Sequence, residues 1–108
     1  MKIILKQGVW LSEINDPFMV FVAALWEVCE RWGDTPTITS GADGQHMEGS
    51  LHYKGLAWDL RVWSLRNPAQ AADQLRERLN QDGHKYDVLF GDKYHKDHVH
   101  VEFDPKGG

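Results

Sequence analysis

Histidines and carboxylates crowd into two short stretches of this chain, Asp43 to Asp59 and His95 to His100. Side chains of these types can share a metal ion, and nitrogen-rich, borderline donors favour zinc over magnesium or calcium. His52 and Asp59 lie seven residues apart, which on a helix would separate them by about 10 Å, too far for one ion. A chain reversal around Lys54 to Leu56, with Gly55 as the permissive turn residue, would instead set them opposite each other at about 4.5 to 5.5 Å. A third ligand from the His98-Val99-His100 segment would complete a set of two histidines and one carboxylate. That set leaves a position open for water, as catalytic rather than structural zinc sites do. A lone histidine beside a glycine is ordinarily a surface residue, and a His-x-His pair alone is a weak signal. Asp59 is more telling, because an aspartate inside an apolar, β-rich run needs a partner, either a metal or a base such as Arg61.

The elements that must position these groups are readable from caps and periodicity. Asn15-Asp16-Pro17 offers a polar cap and an early proline, and Gly33 a stop, so a helix is predicted over 16–32. Its apolar residues cover more than one stripe, which predicts a central, buried helix, with Cys29 as a small apolar filler. A second helix is predicted from Asn67-Pro68 to about Asn80, with Ala71, Leu75 and Leu79 at four-residue spacing. Strands are predicted over Thr37 to Ser40, Leu56 to Val62, Tyr86 to Phe90 and Val99 to Phe103. Alternation sends Leu56, Trp58, Leu60 and Val62 one way and Ala57, Asp59 and Arg61 the other. It likewise separates Val99, Val101 and Phe103 from His98, His100 and Glu102. The expected fold is α+β, a small and mainly antiparallel sheet packed against two or more helices.

Length and composition bound the function classes. With 108 residues, 42% of them hydrophobic, the sequence supports one globular domain, 1–108. A net charge of -4 without any Lys/Arg cluster speaks against nucleic acid as a partner. The single cysteine excludes an internal disulfide and any multi-cysteine metal site. The longest apolar-rich run, Phe18 to Trp26, is about half of what a membrane span needs. Met1 to Lys6 is too short an apolar start for a secretory leader, which predicts a chain made and kept in the cytoplasm unless another factor releases it. The expected oligomeric state is a monomer.

The run Ser50-Leu51-His52-Tyr53-Lys54-Gly55-Leu56-Ala57-Trp58-Asp59, with His98-Val99-His100 some forty residues later, resembles the paired zinc motifs of the D-alanyl-D-alanine peptidase and hedgehog superfamily. In character it is similar to the short phage L-alanyl-D-glutamate endopeptidases. The resemblance runs loosely from Thr37-Ile38-Thr39-Ser40-Gly41 to Val101. It implies a Zn2+ cofactor held by His52, Asp59 and His100, and a zinc-bound water as nucleophile. It also implies Asp97 as general base and then acid, with His98 beside the developing oxyanion. Ser50, His46 and Arg61 are the candidate substrate contacts; the Asp43-Gly44-Gln45-His46 loop reads first as a solvated loop, and otherwise would shape the cleft or hold a second cation. Strict alternation puts Asp97 on the face opposite His98, so the last strand must begin at or after Asp97 for that carboxylate to reach the metal; otherwise Glu102 is the next candidate.

The sequence departs from the family in one place. Ala42-Asp43 follow Ser40-Gly41 where many carboxypeptidase members carry an arginine that holds the substrate's terminal carboxylate; Arg61, on the polar face of the ligand strand, is the candidate substitute, but an endopeptidase needs no such clamp and is favoured over a carboxypeptidase. The expected function is hydrolysis of the peptide stems of bacterial peptidoglycan, an endolysin-like activity reaching the cell wall through a separate lysis factor. The alternative from a different class is a zinc-stabilised binding module without turnover.

Overall fold

The computed structural model describes residues 1–42, 54–81, 83, 85–92 and 95–104. Among these residues, two helices and a five-stranded, mostly antiparallel sheet pack together in an α+β arrangement. In chain order the elements are β1 (Ile4–Leu5), α1 (Asp16–Trp32), β2 (Thr37–Ser40), β3 (Ala57–Arg61), a short 3-10 helix (Val62–Ser64), α2 (Pro68–Leu79), β4 (Tyr86–Leu89) and β5 (His98–Phe103). The sheet order is β1-β2-β3-β5-β4, with β1 parallel to β2 and the other pairs antiparallel. Among the described residues no helix is long and apolar enough to cross a membrane.

Both helices begin by the same device. Asn15 and Asn67 cap them with side-chain oxygens that accept from the backbone N–H three residues on, and a proline sits in each first turn. Gly33 ends α1 in the left-handed conformation, φ 70°, where a side chain would be strained. One correction concerns α1: it is amphipathic rather than buried all round. Phe18, Phe21, Ala24, Leu25, Val28 and Cys29 form its buried face, whereas Met19 and Trp26 are exposed. One sheet and one neighbouring helix can cover only one side of it. Trp26 meets its polar need at the surface by donating from Nε1 to Glu30, 3.0 Å away.

The core lies between the helices and one face of the sheet. Trp58 stacks on Phe21 at 4.9 Å between ring centroids with the planes 5° apart, and Ile38, Leu60, Val99 and Val101 complete the layer. Period-two alternation then leaves Asp59 and Arg61 of β3, and His98, His100 and Glu102 of β5, on the opposite face. The polar face predicted from sequence is therefore built.

Asn15 also ties α1 to the strand that carries Asp59. Its Oδ1 accepts from Phe18 N at 2.9 Å, while its Nδ2 donates to Gly55 O at 2.9 Å, just before β3. Gly55 has φ +70°, and a Cβ there would lie 2.7 Å from Ser12 Oγ, so only glycine fits the turn. Asn15→Ala is expected to lose about 1 to 2 kcal/mol of stability, the usual value of an N-cap, seen as a lower urea midpoint at unchanged slope. A midpoint equal to the wild type would show that the cap carries nothing.

Candidate metal centre

The register of β3 against β5 assembles the site. Asp59 lies opposite His100, Arg61 opposite His98 and Ala57 opposite Glu102. On its other side Asp59 faces Ser40, because β2 carries one extra residue between Ile38 and Ser40, a bulge of the kind that re-aims side chains. The cross-strand partners of Asp59 are thus Ser40 and His100. His52, His46, Ser50 and the loop beginning at Asp43 lie outside the described residues.

The Asp59–His100 pair is tight and largely shielded from solvent. His100 Nδ1 is 2.9 Å from Asp59 Oδ1, and His100 Nε2 is 2.7 Å from Glu102 Oε1. Burial alone would push the His100 pKa down, but hydrogen bonds to Asp59 and Glu102 outweigh it and hold the ring above the ordinary 6.5. In the protonated ring both nitrogens donate, Nδ1 to Asp59 and Nε2 to Glu102. With a metal bound, the contact to Glu102 would keep the proton on Nε2 and leave Nδ1 bare toward Asp59, the outer-sphere orientation that metal-ligating histidines require. Among the described residues Asp59 thus meets His100 and, at 3.8 Å, His98, whereas Arg61 does not pair with it.

Asp97 reaches the same face. β5 begins at His98, so the residue before it escapes the alternation, and Asp97 Oδ1 accepts from His98 Nδ1 at 2.8 Å. That hydrogen bond is the main reason the Asp97 carboxyl sits below its usual range, ionised at neutral pH. His98 Nε2 in turn lies 3.8 Å from Asp59 Oδ1. His98 thus links the exposed carboxylate to the shielded one.

His95 belongs to this group although its sequence neighbourhood assigned it no role. Its ring centroid is 5.3 Å from those of both His98 and His100, and its Nδ1 is 2.7 Å from Asp92 Oδ1. The one signal available in the sequence was its place in the His95 to His100 stretch.

A second arrangement was not anticipated. Among the described residues, Asp87, Glu102 and Asp104 form the group of three whose ligand atoms all lie within 4.8 Å of one another, and it could hold a metal ion. It differs from the expected ligand set in being all carboxylate, the donor type of hard cations. Asp87 and Glu102 are cross-strand neighbours. Burial, followed by the charges of Glu102 and Asp104, raises the Asp87 pKa. Cys29 takes no part in either arrangement: it lies in the core on the buried face of α1, where burial pushes its thiol up to about 12. Compared with protein-family models and with curated proteins, the chain matches none.

Proposed function

We propose that this chain is a zinc-dependent peptidase that hydrolyses the peptide stems of bacterial peptidoglycan as an endopeptidase, with His52, Asp59 and His100 as ligands. The observation that carries the reading is the pairing of a shielded Asp59–His100 contact with an ionised Asp97 held one residue before the ligand strand. Ligand and base candidates therefore face one region from adjoining strands.

The donor set fits zinc: a ring nitrogen and a carboxylate oxygen 2.9 Å apart, with the outer ring nitrogen held by Glu102. Zinc bound there supplies a Lewis acid for the scissile carbonyl and a water acidic enough to attack near neutral pH. The protein's own groups do the rest. Asp97 takes the proton of the attacking water and passes it to the leaving amine. His98, oriented by Asp97, donates toward the oxygen on which charge develops. Asp59, His98 and His100 share one face of the sheet, which supports this reading.

Incubation of purified murein with the zinc-loaded chain is expected to release fragments in which one stem bond has gained the mass of one water. Mass analysis of the fragments identifies that bond. If a fully zinc-loaded sample cuts no stem bond, the peptidase reading fails and the zinc-stabilised binding module replaces it. Asp97 favours the enzyme, since a structural ion needs no neighbouring base.

A further inference from the structure

The two edges of the sheet are finished differently. β4 is the last strand on one side, and α2 closes its outer edge with side chains. Asn80 Nδ2 donates to Tyr86 O at 3.0 Å while Asn80 Oδ1 accepts from Tyr86 N at 2.9 Å, and Arg76 donates to Val88 O. An extended segment arriving at β4 would have to displace these bonds. β1, the last strand on the other side, is left open. Its bonds to β2 are made by alternate residues, Ile4 N to Pro36 O and Lys6 N to Ile38 O, both 2.9 Å. Leu5, between them, therefore turns its N–H and C=O away from the sheet. Ile4 and Leu5 are 40% and 49% exposed. Lys2 and Lys6 are exposed as well and make no ion pair among the described residues, although the chain carries a net charge of -4. Alternation over 2–6 puts Lys2, Ile4 and Lys6 on one side and Ile3 and Leu5 on the other, and Ile3 packs against the core as that requires.

We propose that the β1 edge is a docking site for an extended, acidic segment of a partner protein, which adds to the sheet as a further strand beside Leu5. The Leu5 backbone supplies the hydrogen bonds of strand addition, and the flanking side chains choose the partner. Residues directly opposite Lys2, Ile4 and Lys6 should read acidic, apolar, acidic, with one residue between each, because opposite charges across a ladder attract and like charges repel. That repulsion decides against a second copy of this chain. β1 paired antiparallel with itself about Ile4 would bring Lys2 of one copy opposite Lys6 of the other. A lipid surface would cover Ile4 and Leu5 but offers the Leu5 N–H no ladder. Lysines ordinarily keep an edge strand from pairing with its own kind; here they also select an acidic partner. The proposal does not depend on the peptidase reading.

The test titrates the full chain with a dye-labelled peptide, acetyl-Thr-Glu-Val-Val-Thr-Glu-Thr-amide, with its twin carrying lysines in place of the glutamates, and with vesicles of phosphatidylserine and phosphatidylcholine. Anisotropy of the dye reports binding, and slowed hydrogen exchange at the Leu5 amide reports its place. The acidic peptide is expected to bind and to protect Leu5, and the lysine twin to do neither. Lys2→Gln and Lys6→Gln should each weaken the acidic peptide by up to about fivefold, the range of an exposed ion pair, and added salt should weaken it too. Leu5→Pro is expected to abolish binding, since proline removes the outward N–H and spares the bonds that Ile4 and Lys6 donate to β2, a position at which an edge strand tolerates proline. The lysine variants touch neither ladder nor core, so they decide the outcome even where Leu5→Pro fails to fold. Equal binding of the two peptides, or no binding of the acidic one, overturns the proposal. Protection of Leu5 by vesicles alone replaces the peptide with a membrane, and concentration-dependent protection without any probe replaces it with a second copy; either result also overturns it.

Discussion

Asp59→Ala is expected to bind zinc more than about a hundredfold more weakly than the wild type, while Asp87→Asn is expected to bind it unchanged. Loss of an outer partner of a metal ligand already costs about tenfold to a hundredfold in affinity, and loss of the ligand itself costs more. Glu102→Gln should fall in that smaller range, because Glu102 Oε1 holds His100 Nε2 at 2.7 Å without facing the ion. Competition with a chelator of known affinity measures all three. Asp87 and Asp104 separate the two candidate sites, since Glu102 belongs to both. If Asp87→Asn or Asp104→Asn abolishes binding while Asp59→Ala keeps it, the cation sits on the acidic triad and the histidine site is not a metal centre.

The same pair sets a pH dependence. His100 has a folded pKa above the 6.5 of a free histidine. In the metal-free protein its contribution to stability is therefore complete below that value and is lost as pH rises through the folded pKa. Zinc requires the same nitrogen without its proton. Zinc affinity should accordingly rise with pH over the range in which metal-free His100 is protonated, by about tenfold per unit for one displaced proton, and then level off. Affinity independent of pH in that window would remove His100 from the ligand set.

What the sequence disclosed depended on range. Helix starts at Asn15 and Asn67 are local chemistry, and the faces of β3 and β5 follow from alternation alone. Asp59 and His100, 41 residues apart, were brought together only by the motif resemblance and the His-x-His segment, and the strand order β3-β5-β4 that pairs them directly has no local signal. The hairpin argument that sets His52 opposite Asp59 concerns residues outside those described, and by itself it has no access to that crossover. β1, with two residues, is too short to show a period. The acidic triad was hidden because Asp87 and Asp104 come together across β4 and the end of β5, a matter of register. Trp63 gave no signal in the sequence; it lies in the 3-10 turn at Val62–Ser64 and is exposed.

Asp97→Asn is expected to keep zinc, fold and the orientation of His98 while hydrolysis of murein falls about a hundredfold or more, the usual scale for a lost general acid-base group. The variant isolates proton transfer because of how Asp97 sits. Its Oδ1 accepts from His98 Nδ1 at 2.8 Å, and an asparagine oxygen can accept the same bond, so the ring need not move. Asp97 is otherwise exposed, so the change leaves neither a cavity nor a buried orphan. What asparagine cannot do is take a proton. The His98 contact lowers the Asp97 pKa, which keeps the wild-type group in its basic form throughout the neutral range, so the deficit should be as large at pH 8 as at pH 6.5. A rate in Asp97→Asn equal to the wild type would show that another group carries the proton. Glu102→Gln would not then be the clean substitute test, because Glu102 also holds His100, whereas His98→Gln would be. Loss of activity with loss of zinc in Asp97→Asn would instead make Asp97 part of what binds the metal.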